Sequence, residues 1–279
     1  MTTIGEKIRR ERIKQKVSQK VLSRGVCSQS SLSRLENNNG SLSVMKVNQI
    51  LERLNLSFND LMANEETAGE NAFTYALDAA RLQNDYAAMT KVLDAHQGNM
   101  KVPSDKFKMY AKWHRGLVSF HQKSYEASEA QLRHAIYIAD KHKMGSYLPH
   151  LYVALGDTKH HLGEKSLKYY TDADQLYRKL KIDDFRLGTK ILYHLSACYS
   201  NEGRYHQVIL KCKKAINLLS MNFSSYMMCE IYDLWLKALA GLGEEEGYAD
   251  LRQRSRIIFE QHSRLEMWEK SENYPAVNS

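Results

Sequence analysis

Proline is scarce in this sequence, with three residues among 279. Leu, Lys, Glu and Ala are plentiful, and because these residues favour helices that proline would break, the composition predicts an all-α fold. No run of 18 apolar residues occurs, so no membrane-spanning helix is expected. The opening segment MTTIGEKIRRERIKQ has no apolar stretch of the kind found in signal peptides. We therefore expect a cytoplasmic protein that has no membrane partner.

Cysteine is also sparse, and its four positions (27, 198, 212 and 229) lack the spacing of a metal site. They are expected to be reduced, small hydrophobic residues. The histidines at 150, 160 and 161 form no clean i, i+4 pair and have no obvious carboxylate partner. No pairing of a nucleophile with a base and no glycine loop that could hold a phosphate is apparent. The sequence thus predicts no metal, no cofactor and no enzyme.

Charge is present but unevenly spread. Residues 1–62 contain eleven Lys and Arg against five Asp and Glu, whereas the remaining residues contain 29 against 27. A small basic region beside a nearly neutral one is typical of a protein that contacts phosphates. The plainer explanation, that basic residues only keep a small domain soluble, stays open on charge alone.

The basic region has the pattern of several short helices. Ile4, Ile8 and Ile13 lie near one face of the first. Ser18 is a good N-cap for the second, which Gly25 can end in a left-handed conformation. In the segment CSQSSLSRLE, Ser28 can cap a third helix that buries only a thin apolar edge, Leu32 and Leu35. A fourth helix from about 43 to 54 and a short fifth helix, FNDLM, complete the prediction.

These spacings resemble the Xre/Cro-like helix-turn-helix domain. The resemblance is carried by Ile4-Gly5, Ile8, Arg12, Ser18-Gln19, Leu22, Ser33-Arg34-Leu35-Glu36, Ile50 and Leu54. It implies that the third helix enters the major groove of DNA and that Glu36 pairs with Arg12 as scaffold. Gln can pair with adenine, and Arg can pair with guanine or a phosphate. The DNA-binding residues expected on this basis are Lys16, Gln19, Lys20, Ser28, Gln29, Ser30, Ser31 and Arg34, although Lys16 could equally be a solvated charge.

The nearly neutral region contains an internal repeat of forty residues. Gly116, Gly156, Ser196 and Leu236 share one register, and Gly163, Gly203 and Gly243 share another. Each unit has the pattern helix, glycine turn, helix, with a weaker copy at 75–96. The pattern resembles the tetratricopeptide repeat and implies a right-handed superhelix whose concave surface is lined by the first helix of each pair.

The repeat register also assigns residues to that surface. The peptide-binding residues expected there are Trp113, His114, His121, Asp157, His160, Lys190, Tyr193, His194, Asn201, Asp233 and Lys237. Their mixture of rings and polar groups suits an extended peptide. For Trp113 and Tyr193, a place in the repeat core is an equal alternative.

The combination resembles the peptide-pheromone-sensing transcription regulators of Gram-positive bacteria, the PlcR and Rgg type. The predicted architecture is a five-helix DNA-binding domain at 1–62, a linker at 63–70, about five repeat-like helix pairs at 71–267 and a tail at 268–279, with 271–279 expected to be disordered. The resemblance implies a cytoplasmic homodimer, a palindromic operator in double-stranded DNA and a short signalling peptide as ligand, hence a role in quorum sensing. The alternative is a protein–protein scaffold or a regulator that has no peptide ligand.

Overall fold

A computed structural model describes residues 3–56, 65–96 and 103–274, and for 65–68 the description is of the backbone. Within these ranges the chain forms fifteen α-helices and two short 3-10 helices, with no strand, which confirms the predicted all-α class. The chain divides into two compact units, Met1–Ala79 with His96–Lys101 and Ala80–Ala95 with Val102–Ser279. None of the described helices is both long and apolar enough to cross a membrane.

The first unit begins with four short helices. They are α1 (Ile4–Lys14), α2 (Gln19–Ser23), α3 (Gln29–Glu36) and α4 (Val44–Arg53). The predicted fifth helix at 58–62 lies outside the described residues. The predicted linker at 63–70 lies partly outside them, and from Glu65 onward the chain is helical, in α5 (Glu65–Leu82).

The capping signals of these helices are confirmed. The side chains of Ser18 and Ser28 accept hydrogen bonds from the amides of Val21 and Ser31. Gly25 has φ +74, and Asn38 has φ +59 after α3, so both turns use the left-handed conformation that these residues tolerate.

The core of the first unit also follows the predicted pattern, with one correction. Ile8, Leu32, Leu35 and the apolar face of α4 are buried together. The prediction for Ile13 was wrong, because its side chain is 56% exposed. It lies five residues after Ile8, about 140° around the axis of α1, so it does not share the face that Ile4 and Ile8 turn toward the core.

The second unit is built from antiparallel helix pairs. After α6 (Tyr86–Ala95), the pairs are α7 (Asp105–His121) with α8 (Tyr125–Lys141), α9 (Leu148–His161) with α10 (Leu167–Lys179), α11 (Phe185–Asn201) with α12 (Tyr205–Met221), and α13 (Met228–Leu242) with α14 (Glu245–Gln261). A short helix, α15 (Leu265–Lys270), and the 3-10 helices Gly145–Tyr147 and Ser271–Asn273 complete the unit.

The forty-residue period appears in both turns and helix crossings. Gly163, Gly203 and Gly243 have φ between +69 and +76, and Lys123 holds the same left-handed conformation in the pair before them. A Cβ on Gly156 would lie 2.6 Å from the ring of Tyr170, so glycine permits the close crossing of α9 and α10. The predicted role of these small residues is thus confirmed for this pair.

The C-terminal segment differs from its prediction. Residues 271–274 are ordered, although disorder was expected there. The Tyr274 hydroxyl donates to Asp233 on α13, and the indole of Trp268 donates to the carbonyl of Arg252 on α14. These contacts link the segment to residues far away in the sequence. Residues 275–279 of the predicted tail lie outside the described residues.

Candidate functional site

Helix α3 presents its polar side to solvent. Gln29, Ser30 and Arg34 are exposed, whereas Leu32 and Leu35 anchor the opposite edge in the core. The Ser28 hydroxyl lies 2.9 Å from that of Ser30 and 2.8 Å from that of Ser31. The three hydroxyl groups thus satisfy one another around the cap. Among the five predicted DNA-binding residues on this segment, Gln29 and Arg34 are the two that carry long side chains.

A buried ion pair holds α3 against α1. Arg12 binds both carboxylate oxygens of Glu36, at 2.7 and 2.8 Å, as predicted. Gln19 at the start of α2 donates to the same carboxylate at 2.8 Å. Burial opposes ionisation of Glu36, but these hydrogen bonds outweigh it and lower the pKa of the carboxyl. Helices α1, α2 and α3 are therefore fixed to one another through a single charged group.

The remaining predicted DNA-binding residues of the first unit are lysines. Lys16 is exposed in a left-handed turn after α1 (φ +56), and Lys20 is exposed on α2. Their positions place positive charge beside the exposed side of the helix-turn-helix.

The second unit contains a cavity of about 190 Å³. Two residues predicted for ligand binding, Trp113 and Lys190, line it. The cavity wall otherwise comes from α5, α6, α7, α9, α11 and the segment before α13, with the lining residues Arg81, Leu82, Asn84, Tyr86, Met89, Leu117, His150, Val153, Ala154, Asp184, Arg186, Leu187 and Tyr226.

A polar network joins three predicted ligand residues beside this cavity. Lys190 Nζ lies 3.1 Å from Asp157 Oδ2, and the Tyr170 hydroxyl donates to Asp157 Oδ1 at 2.8 Å. The imidazole of His194 stacks on Tyr170, with its Nε2 3.2 Å from Asp157 Oδ1. The network connects α9, α10 and α11.

Burial and charge set the protonation of this network. Burial alone would raise the pKa of Asp157, but Lys190 and the hydrogen bond from Tyr170 lower it below its ordinary value. Burial lowers the pKa of His194 to about 4, so its imidazole is neutral at pH 7. The close approach of His194 to Asp157 is therefore not an ion pair, and Lys190 is the cation that compensates the carboxylate.

The other predicted ligand residues are dispersed. His114 is fully buried, with Nδ1 2.9 Å from the carbonyl oxygen of Tyr110, and Tyr193 is half-buried against the packed pair α12–α13. Asp233 accepts a hydrogen bond from the Tyr274 hydroxyl. The side chains of the last four are exposed: His121, His160, Asn201 and Lys237.

Several cavity residues were not predicted. Tyr86 and Arg81 belong to the weakest copy of the repeat, where the pattern carries little information. Arg186 lies one helical turn before Lys190, so extending the predicted face of α11 by one turn toward its N-terminus would have found it. No group of three potential metal ligands occurs in the ranges that the structure describes.

Comparison with known proteins agrees with this architecture. Residues 8–61 match the family model described as helix-turn-helix, in agreement with the predicted Xre-like domain, so the first unit contains a helix-turn-helix domain. No curated protein is significantly similar to the chain in sequence.

Solved structures share the fold of the whole chain. PlcR of Bacillus thuringiensis, in complex with the peptide PapR7 and DNA, is 18% identical with a TM-score of 0.66, and the match covers 100% of both chains. PlcR in its apo form is 16% identical with a TM-score of 0.59, over 98% of this chain and 99% of the other. ComR from S. thermophilus, in complex with DNA and its signalling peptide ComS, is 13% identical with a TM-score of 0.54, over 97% of both. The predicted PlcR-type architecture is thus confirmed as a fold.

Proposed function

We propose that this protein is a sequence-specific DNA-binding transcription regulator whose repeat unit responds to a short peptide. The observation that carries the proposal is α3: a helix that buries two leucines and exposes Gln29 and Arg34 in a helix-turn-helix domain. The second unit supplies the ligand site. The protein is expected to act in the cytoplasm, because DNA is its target.

Contact with DNA is supported by charge and by side-chain availability. Gln29 and Arg34 make no hydrogen bond or ion pair with other described residues, so both are available to base edges. Gln29 is suited to adenine and Arg34 to guanine or a phosphate. Lys16 and Lys20 supply phosphate contacts that position the helix. The hydrogen bonds of Arg12 and Gln19 to Glu36 hold α3 in place while its side chains contact the DNA.

A peptide ligand is supported by the fold and by the cavity. PlcR and ComR, whose fold this chain shares, have been solved with a peptide and DNA. In this chain Trp113 and Lys190 line a cavity formed by successive helix pairs, which suits a ligand with apolar and charged groups. The proposed ligand is a peptide of a few residues, as in quorum sensing.

Dimerisation belongs to the same proposal. One recognition helix contacts few base pairs, so two copies on adjacent half-sites multiply the specificity, and a two-fold protein predicts a palindromic operator. A peptide that favours one arrangement of the two heads shifts the population that binds DNA. Sedimentation of the full chain tests the dimer directly.

The test of DNA recognition is selection from a random double-stranded DNA pool with the full chain, followed by binding measurements at several salt concentrations. We expect an enriched palindrome whose binding weakens as salt rises. Arg34→Ala is expected to lower affinity for the selected site by about 1–3 kcal/mol. The matched control is Arg256→Ala, at an exposed arginine on α14 that pairs with Glu260 one turn along the same helix.

Two outcomes would count against the proposal. Failure to enrich any sequence at low salt would favour the alternative, a repeat scaffold whose head contacts proteins. Equal loss of affinity with Arg34→Ala and Arg256→Ala would mean that α3 does not carry the interaction.

A further inference from the structure

Two cations on α11 face the cavity of the second unit. Arg186 and Lys190 are four residues apart, and both line the cavity. Residues at this spacing are neighbours on a helix surface, and like charges there repel each other. An anion bound between the two cations would offset this repulsion, so the cavity favours an anionic group.

The two cations differ in their partners. Lys190 pairs with Asp157 at 3.1 Å, and its side chain is 39% exposed, so it retains hydrogen-bond donors for a ligand. Arg186 has no carboxylate partner among the described residues. Its guanidinium instead lies 5.7 Å from the ring centre of Tyr226, another lining residue, and 5.9 Å from that of Phe185. The rings hold this charge at the cavity without neutralising it.

The carboxylates near the cavity already have partners within the protein. Asp184 caps α11 by accepting from the amide of Leu187 at 3.0 Å, and its other oxygen lies 3.7 Å from His150 Nε2. Asp157 is bound by Lys190 and Tyr170. Arg81 adds a further positive charge to the lining, 5.1 Å from the ring centre of Trp113. The lining therefore carries more positive than negative charge.

Apolar side chains make up much of the remaining lining. Met89 and Trp113 are almost fully buried, and Leu117, Val153 and Leu187 line the cavity with them. Its volume of about 190 Å³ is below the roughly 300–1,000 Å³ typical of pockets for whole small ligands. The cavity has room for one bulky side chain rather than for a complete peptide.

We propose that this cavity selects peptides in which a carboxylate adjoins a bulky apolar side chain: the side chain packs on Trp113 while the carboxylate bridges Arg186 and Lys190. The inference rests on the proposed peptide-binding function and adds its chemical specificity. Arg186 is the specificity-determining residue, because its guanidinium has no carboxylate partner within the described ranges and can pair with that of the ligand.

The test uses a minimal pair of probes on the full chain. N-acetyl-L-phenylalanine has the carboxylate, and N-acetyl-L-phenylalaninamide is its neutral counterpart. Affinities are measured by ligand-observed NMR titration up to about 10 mM, which detects weak binding. The variant is Arg186→Gln, a substitution at an exposed position. The matched control is Arg204→Gln, an exposed arginine that also lies over a ring, Tyr199, but does not line the cavity.

We expect the wild-type chain to prefer the carboxylate probe by about tenfold, the effect of one charge-assisted hydrogen-bonded contact. Arg186→Gln is expected to reduce that preference to about twofold or less while the amide affinity stays unchanged, and Arg204→Gln to keep it. Equal affinity for both probes, no binding of either, or an unchanged preference in Arg186→Gln would overturn the proposal. The DNA selection does not depend on these probes. A negative probe titration would therefore not contradict DNA recognition, and a negative DNA selection would not contradict the ligand preference of the cavity.

Discussion

The two units of this chain place their candidate recognition residues in opposite settings. On α3 of the first unit, Gln29 and Arg34 project from a helix whose stability comes from other residues, the buried leucines and Glu36. In the second unit, Lys190 and Trp113 belong to the network and packing that join successive helices. Substitution of the recognition residues on α3 should therefore change DNA binding without destabilising the fold. In the repeats, the same is expected only for exposed side chains such as Arg186.

The largest expected effect is a loss of stability that is confined to the first unit. Glu36→Ala removes a fully buried carboxylate and leaves Arg12, which is 13% exposed, without its partner. Breaking a pair of this kind costs about 3–5 kcal/mol of unfolding free energy. Hydrogen exchange should show faster opening of α1 and α3, with α9–α12 unchanged. Glu52→Ala, at an exposed position on α4, is the control, and equal acceleration in both units would contradict two separately stabilised units.

The second effect concerns pH and the second unit. His194 has a pKa of about 4 in the folded chain, against 6.5 for the unconstrained side chain. Between these values the unfolded chain binds a proton that the folded chain excludes, so stability falls as the pH drops from about 6.5 to 4. The loss is at most about 3 kcal/mol. Urea unfolding across this range should show a smaller decline for His194→Phe, and His206→Gln, at an exposed position, should keep the wild-type decline.

Helix crossing in the second unit gives the third effect. Gly156→Val would place side-chain atoms against the buried ring of Tyr170, and overpacking of this kind costs about 1–3 kcal/mol. Ala127→Val, on the exposed side of α8, should cost less than that. A melting temperature of Gly156→Val equal to wild type would show that α9 and α10 can separate without penalty.

The smallest effect sharpens the comparison among repeats. Lys123 has φ +60 at the position where the next three pairs have glycine. Lys123→Gly relieves the left-handed strain and is expected to raise the unfolding free energy by about 0.5–1 kcal/mol. Lys214→Gly, at an exposed position in the middle of α12, should instead lower it by about 1 kcal/mol. Denaturant unfolding of both variants checks the opposite signs.

Local chemistry explains which features could be predicted from the sequence. Caps at Ser18 and Ser28, the left-handed Gly25 and the forty-residue glycine period depend on neighbours along the chain. The Arg12–Glu36 pair was predicted through the resemblance to a family. The exposure of Ile13 also follows from local geometry, because Ile13 lies five residues after Ile8 and therefore about 140° away around α1.

The cavity and the C-terminal segment depend on contacts between distant residues. Repeat register predicts which side of a helix faces its neighbours, but not which side chains of successive pairs meet. Tyr86, Arg186 and Tyr226 come together only through the stacking of several helices. The order of residues 271–274 rests on long-range contacts, such as that of Tyr274 with Asp233, and a polar tail sequence contains no local sign of them.

The most direct test of the central claim compares the DNA sequences selected by the wild-type chain and by Gln29→Ala. If α3 contacts base edges, the variant should still enrich a palindrome but lose its preference at one symmetric position in each half-site. Gln175→Ala, an exposed glutamine on α10, should select the wild-type sequence. An identical consensus for wild type and Gln29→Ala would contradict recognition through the exposed turn of α3.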